Sequence, residues 1–268
     1  MTNKYLNPKN YYRKFGFIKD RLLFWPFYNF ENFKKIEEKK FSQYGFDLKK
    51  AQEEINKILL ELGKNPLEFQ NGMGSVHWTL FSCIKQVSKV KTILELGTYD
   101  GETTKILSKL FPESKITTID LPSNDPIFLN SYGRDDPEIE AKFKDARNEN
   151  LKETNIEYIE RNSFFLLEEV SNKFDLVWVD AGHLYPEISW DICNGYYLCN
   201  KGGWILCDDI VNHKNGLRDE LVSPDSSHIW EYINARVKDE VIYFLKRNHP
   251  QYSANPKKRK YVSLLKKT

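Results

Sequence analysis

Two short segments concentrate side chains able to do chemistry. Val177-Trp178-Val179-Asp180-Ala181-Gly182-His183 closes an apolar run with an aspartate and sets a histidine three residues further on. Leu206-Cys207-Asp208-Asp209 closes another with a pair of aspartates. If these runs are neighbouring strands, Asp180, Asp208 and Asp209 converge at one edge. Three anions at close range repel unless a cation lies among them. Neither segment carries a lysine or arginine, so the expectation is a divalent ion held by Asp180, Asp208 and Asp209. Oxygen ligands with room for water suit Mg²⁺ or Mn²⁺. The plainer alternative is a solvated, metal-free acidic edge. A metal would lower the pKa of a substrate hydroxyl, and His183 is placed to take the released proton, or else simply hydrogen-bonds its loop. His213, four residues past Asp209, is expected to be exposed.

A third segment, Ile93-Leu94-Glu95-Leu96-Gly97-Thr98-Tyr99-Asp100-Gly101-Glu102, reads as a buried strand entering a tight turn and leaving as a helix. The turn needs an unhindered backbone at Gly97, and open α/β sheets bind ligands where such strands end. Its spacing is GxxxG, not GxGxxG, and no phosphate-cradling Lys-Ser/Thr follows. That weighs against a dinucleotide, whose pyrophosphate needs a closer backbone. The next apolar run ends at Asp120, a carboxylate suited to accepting two hydrogen bonds. The one after that ends at Arg161-Asn162-Ser163.

Elements that would position these residues alternate from residue 90 onward. Strands are expected at Thr92–Leu96, Ile116–Ile119, Ile156–Ile159, Leu176–Val179 and Trp204–Cys207. Helices are expected near Glu102–Leu110, Phe164–Val170 and Pro186–Leu198, with Pro186 as a first helical residue. This rhythm predicts a parallel sheet with helices on both faces. A helix near Ser227–Arg236 and strands at Val241–Leu245 and Tyr261–Leu265 follow, the last two as an antiparallel hairpin. The stretch 122–155 is long for one connection and is expected to hold a helix and a cap over the site. Upstream, helices are expected at Asp47–Leu62 and, after the Asn71-Gly72-Met73-Gly74 turn, at Ser75–Val87. Residues 1–70 read as an aromatic-rich, mostly helical extension serving as lid or interface, and 71–268 as the main domain.

Composition narrows the function classes. The 268 residues are 40% hydrophobic and 29% charged, ordinary values for a folded domain. No apolar run approaches the roughly 20 residues of a membrane span, and Leu22–Phe27 is too short for a signal-peptide core. Cys83, Cys193, Cys199 and Cys207 form no CxxC pair, which points to free thiols and a cytoplasmic location. The net charge of +2 conceals basic ends: residues 1–50 hold 12 Lys/Arg against 5 Asp/Glu, and 246–268 hold 8 against none. Without a recognition motif this charge does not indicate nucleic acid. Residues 1–50 also hold 14 of the 38 Phe, Trp and Tyr, so they should pack on the main domain or form a subunit contact in a homo-oligomer.

The order and spacing over roughly residues 90–210 resemble class I S-adenosylmethionine-dependent methyltransferases. The resemblance implies a Rossmann-like, mostly parallel seven-stranded sheet ending in an antiparallel hairpin. It implies cofactor contacts at Glu95, Gly97, Tyr99, Asp100, Gly101, Asp120, Asn162, Ser163 and Asp180, with Asp120 on the ribose and the Asn162 region near the adenine. The acids at Asp180, Asp208 and Asp209 are similar to those of metal-dependent O-methyltransferases, the macrocin-type and cephalosporin-hydroxylase-like groups in particular. That implies methylation of a small acceptor's hydroxyl, a sugar or nucleotide-sugar, with Asp180 and His183 catalytic. An N-methyltransferase lacks support because no Asn/Asp-Pro-Pro-aromatic motif follows the fourth strand. The absence of GxGxxG weighs against an NAD-dependent oxidoreductase. A non-catalytic α/β binding module would have no use for the three aspartates.

Overall fold

The computed structural model describes residues 8–67, 75–211, 224–237 and 239–268. The Asn71–Gly74 turn and His213 lie outside the described residues. Helix α1 (Pro8–Leu23) leads through a 3₁₀ turn at Trp25–Phe27 into α2 (Phe30–Gln43) and α3 (Leu48–Glu61). Asn29 and Asp47 cap α2 and α3 by accepting from Asn32 N at 2.9 Å and Lys50 N at 3.0 Å. Helix α4 (His77–Val87) then hands over to the alternating part of the chain.

That part runs β1 (Thr92–Leu96), α5 (Glu102–Leu110), β2 (Lys115–Asp120), α6 (Pro126–Asn130), α7 (Pro137–Asn150) and β3 (Ile156–Glu160). It continues through a 3₁₀ turn at Ser163–Phe165 to α8 (Leu166–Glu169), β4 (Phe174–Val179), α9 (Glu187–Leu198) and β5 (Cys199–Ile210). After α10 (Asp225–Asn234) come β6 (Val241–Leu245), α11 (Pro250–Ser253) and β7 (Tyr261–Lys266). The seven strands form one sheet in the order β3-β2-β1-β4-β5-β7-β6. β1 to β5 pair in parallel, and β7 runs antiparallel between β5 and β6. This is a Rossmann-like, mostly parallel sheet with an antiparallel C-terminal pair and helices on both faces.

Strand alternation divides the core in two. Ile93, Leu176, Trp178, Trp204 and Leu206 face α3, α4 and α5, whose Ile55, Leu80, Phe81 and Ile106 complete that layer. Leu94, Leu96, Val177, Val179, Ile205 and Cys207 face α9 and α10, with Ile188, Ile192 and Trp230. Burial on both faces is why these strands read as unbroken apolar runs. Helix α3, upstream of residue 70, shares the core of the sheet.

Three local differences from the sequence reading have physical causes. Pro186 is the N-cap of α9 rather than its first helical residue. The helix expected over 164–170 divides into the 3₁₀ turn and the single turn of α8, because Asn162 caps early by accepting from Phe164 N at 2.9 Å. β5 is twelve residues long, so Asp208 and Asp209 lie inside a strand rather than on the loop after it. Its pairing with β7 shifts register between Cys207 and Ile210.

Candidate active site

The parallel strands end at one level. Gly97 N donates to Ile119 O at 2.9 Å, Arg161 N to Asp120 O at 2.8 Å, and Asp180 N to Leu96 O at 2.8 Å. β1 lies between β2 and β4, so the crossovers leave it in opposite directions and open a crevice at its carboxyl end. The turn after β1 is pressed against β4. A Cβ on Gly97, whose φ is +97°, would stand 2.4 Å from the Asp180 carbonyl oxygen. Only glycine satisfies both the backbone conformation and the contact. Tyr99 also takes a left-handed conformation, φ 52°, and is 45% exposed. Its amide donates to Asp120 Oδ2 at 2.7 Å, while Leu121 N donates to Asp120 Oδ1 at 2.8 Å. Two backbone amides thus fix the carboxylate and leave each oxygen a further lone pair. Burial raises the pKa of Asp120, against the pull of those amides and of Arg147 and Arg134.

Other acids near the turn are already engaged. Glu95 has no exposed surface; it accepts from Thr104 Oγ1 and, at 2.7 Å, from Thr118 Oγ1, and its Oε1 is buried without a partner. Burial raises its pKa to about 8. The Glu95 side chain is thus engaged by Thr104 and Thr118 within the core. Strand alternation turns it with Ile93 under α5, where it braces the turn from below. Asp100 Oδ1 accepts from Glu102 N at 3.1 Å, at the start of α5.

At the ends of β4 and β5 the expected acids do meet. His183 Nε2 stands 3.6 Å from Asp180 Oδ1 and 3.9 Å from Asp209 Oδ2, and its Nδ1 is buried without a partner. Burial and the Asp208 charge raise Asp180 to about 7, opposed by His183. Burial pulls His183 down, but Asp180 and Asp209 outweigh it and its pKa ends above the ordinary value. The cluster also contains two lysines. Lys246 Nζ donates to Asp208 Oδ2 and, at 2.6 Å, to Asp209 Oδ1. Lys260 Nζ donates to Asp209 Oδ2 at 2.5 Å. Asp209 sits at φ 53° in the β5 irregularity. Regular alternation would send Asp208 and Asp209 to opposite faces; the irregularity lets one ammonium bridge both. The buried charges of Lys246, His183 and Lys260 overcome burial and hold Asp209 below the usual carboxylate range.

Residues 94–210 match the family model described as "Methyltransferase domain". Over β1 to β5, less than half of the chain, the sequence is similar to that family. Two solved structures have this chain's fold. The O-methyltransferase TomG of Streptomyces achromogenes, solved with S-adenosylmethionine, superposes with a TM-score of 0.50 at 16% identity, over 89% of this chain and 98% of that one. The Bacillus cereus O-methyltransferase, solved with S-adenosylhomocysteine, gives 0.50 at 14% identity, over 89% and 100%. An uncharacterized protein, R132, of Acanthamoeba polyphaga mimivirus is 27% identical over 128 residues, 46% of this chain; the match spans only 53% of that relative.

Within the matched stretch, Gly97, Tyr99, Gly101 and Asp120 gather on one side of the crevice, and Asp180, His183, Asp208 and Asp209 on the other. Asn162 lies at the end of β3, where its side chain is committed to its cap. Ser163 opens that 3₁₀ turn. The three aspartates are not left without a counter-charge. The cations missing from the local sequence arrive from 37 to 51 residues downstream, because β7 pairs with β5 and β6 with β7. Both Asp209 oxygens and one of Asp208 are held by ammonium groups. Among the described residues no three His, Cys, Asp or Glu side chains are arranged to hold a metal ion. The donor set does not fit a divalent ion.

Arg134 was also missed. Its guanidinium lies 3.9 Å from the Phe128 ring centroid, 4.7 Å from Phe143 and 5.9 Å from Tyr99, and its Nε donates to Phe128 O at 2.9 Å. It ties the 122–155 connection to the turn after β1. The visible sequence signal was the placement of lysines at the inner ends of the last two strands: Lys246 follows β6 and Lys260 precedes β7.

Proposed function

We propose that the protein is an S-adenosylmethionine-dependent O-methyltransferase acting on a hydroxyl of a small polar acceptor, with a sugar or nucleotide-sugar as the acceptor class. One observation carries the reading: Gly97 of the cofactor turn packs on the Asp180 carbonyl, so the turn and the Asp180–His183 pair share one crevice. The names and bound molecules of the two solved neighbours support the cofactor and the attacked atom. The sugar rests on the macrocin-type resemblance.

When bound, S-adenosylmethionine supplies a sulfonium-linked methyl, whose S–C bonding pair stays with sulfur as the acceptor oxygen forms the new C–O bond. Asp120, pinned by two amides, is suited to receive vicinal ribose hydroxyls. The bare backbone at Gly97 lets the turn pack directly on the Asp180 backbone, and the Asp180 charge complements the sulfonium. His183 Nε2 takes the hydroxyl proton, and Asp180 at 3.6 Å and Asp209 at 3.9 Å stabilise the imidazolium so formed. Calorimetry with S-adenosylhomocysteine, followed by an acceptor screen of sugars, nucleotide-sugars and amines with labelled S-adenosylmethionine, tests the proposal. Absence of S-adenosylhomocysteine binding sinks the cofactor; methylation confined to amines sinks the attacked atom.

A further inference from the structure

The acidic cluster carries its own counter-charge, and that charge comes from one structural unit. Lys246 directly follows β6 and Lys260 directly precedes β7; their backbones are joined by a 3.0 Å hydrogen bond from Lys246 N to Lys260 O. The hairpin therefore delivers two ammonium groups together. It delivers them to the end of β5, where Ile210 pairs with Tyr261. Lys246 is only 13% exposed at its side chain and bridges Asp208 and Asp209; Lys260 takes the remaining Asp209 oxygen.

We propose that Lys246 and Lys260 are the resident cations of this cluster, taking by two ammonium groups the electrostatic place of a divalent metal, so that methyl transfer here is metal-independent. Three carboxylates and two ammonium groups leave one net negative charge, which the imidazolium formed on His183 by proton uptake would balance. A divalent ion entering it would meet two cations at contact distance, and three of the six carboxylate oxygens are already held by ammonium groups. The lysines act as positioning residues. They fix Asp209 within 3.9 Å of His183 Nε2 and neutralise the neighbouring Asp208. The inference rests on the methyltransferase reading for its role, but not for its test.

Binding of Mn²⁺ to the purified full chain, followed by the electron paramagnetic resonance of free Mn²⁺, decides it without reference to turnover. The wild type should show no saturable binding below about 1 mM, whereas K246M/K260M should gain a site at least about 100-fold tighter. Adding D209N to the double variant should abolish that gain. Saturable micromolar Mn²⁺ binding by the wild type, lost in D209N, overturns the proposal. So does a folded K246M/K260M that remains blind to Mn²⁺, because the lysines would then not be what excludes the ion. If K246M leaves the chain unfolded, K260M and the wild-type titration still decide. Calorimetry with S-adenosylhomocysteine on the same samples reports separately on the cofactor, so loss of that reading would be seen as such.

Discussion

Burial separates Glu95 from the other acids of the cleft. Its folded pKa, about 8, stands above the ordinary 4.5. The contribution to stability is therefore complete below about pH 4.5, where folded and unfolded chains both hold the proton. It declines as pH rises towards 8, because the unfolded chain releases a proton that the folded chain keeps. Glu95→Gln has no proton to release, so the wild type should lose stability relative to this variant between pH 5 and 8 in urea melts. A constant difference across that window would show Glu95 to be ionised. Asp120 is the opposite case, a carboxylate held out towards the crevice by two amides. Asp120→Ala should weaken S-adenosylhomocysteine by about 1.5–3 kcal/mol in calorimetry, the range for hydrogen bonds to a charged group. His183→Ala should lower kcat by roughly 10²–10⁴-fold with cofactor affinity kept, as removal of a general base does; a drop in affinity alone would make it a binding residue.

The turn after β1 works as an element because of a single missing Cβ. Gly97→Ala must relieve a 2.4 Å approach to the Asp180 backbone and a φ of +97° together. The expected cost is about 3 kcal/mol or more of stability, from overpacking and backbone strain. S-adenosylhomocysteine binding should fall with it, since the turn can yield only by leaving β4. Full affinity in a stable Gly97→Ala would separate the turn from the pocket. The strand ends were legible in the sequence because apolar runs buried on both faces stop abruptly at acids, as at Asp120 and Asp180. The irregularity at Asp209 was not, since nothing in Cys207-Asp208-Asp209-Ile210 specifies a left-handed residue. Nor was the cap that divides the 163–169 stretch.

Across the whole molecule, the N-terminal helices protect the sheet's open edge. Glu37 accepts from Leu245 N of β6 at 3.0 Å, Lys40 Nζ donates to Tyr243 O at 2.7 Å, and Phe41 packs 4.7 Å from the Phe244 ring. Edge strands left uncovered invite pairing with other chains. The aromatic crowding of residues 1–50 is thus partly explained by packing on the main domain. α1 and the turn after it keep an apolar face, with Leu22 71% and Phe27 85% exposed. We expect this face to contact a second copy over at least about 1,000 Å². Light scattering on Leu22→Glu/Phe27→Glu should show a smaller assembly; an unchanged mass would leave that face without a subunit role. Among the described residues no helix is long and apolar enough to cross a membrane.

Sequence alone determined what depends on local order: the alternation of strands and helices, the glycine turn, and the acids that close β2 and β4. Each follows from near neighbours in the chain, through burial periodicity or backbone freedom. Only the tertiary structure decided which groups share a volume. It turned Glu95 under α5 by the parity of one strand, and committed Asn162 to a cap. Through the antiparallel return of β7 beside β5, it also brought Lys246 and Lys260 among carboxylates that the local sequence leaves without a counter-charge. Charge compensation acts through space, and residues 37 to 51 positions apart cannot be paired until the sheet order is known.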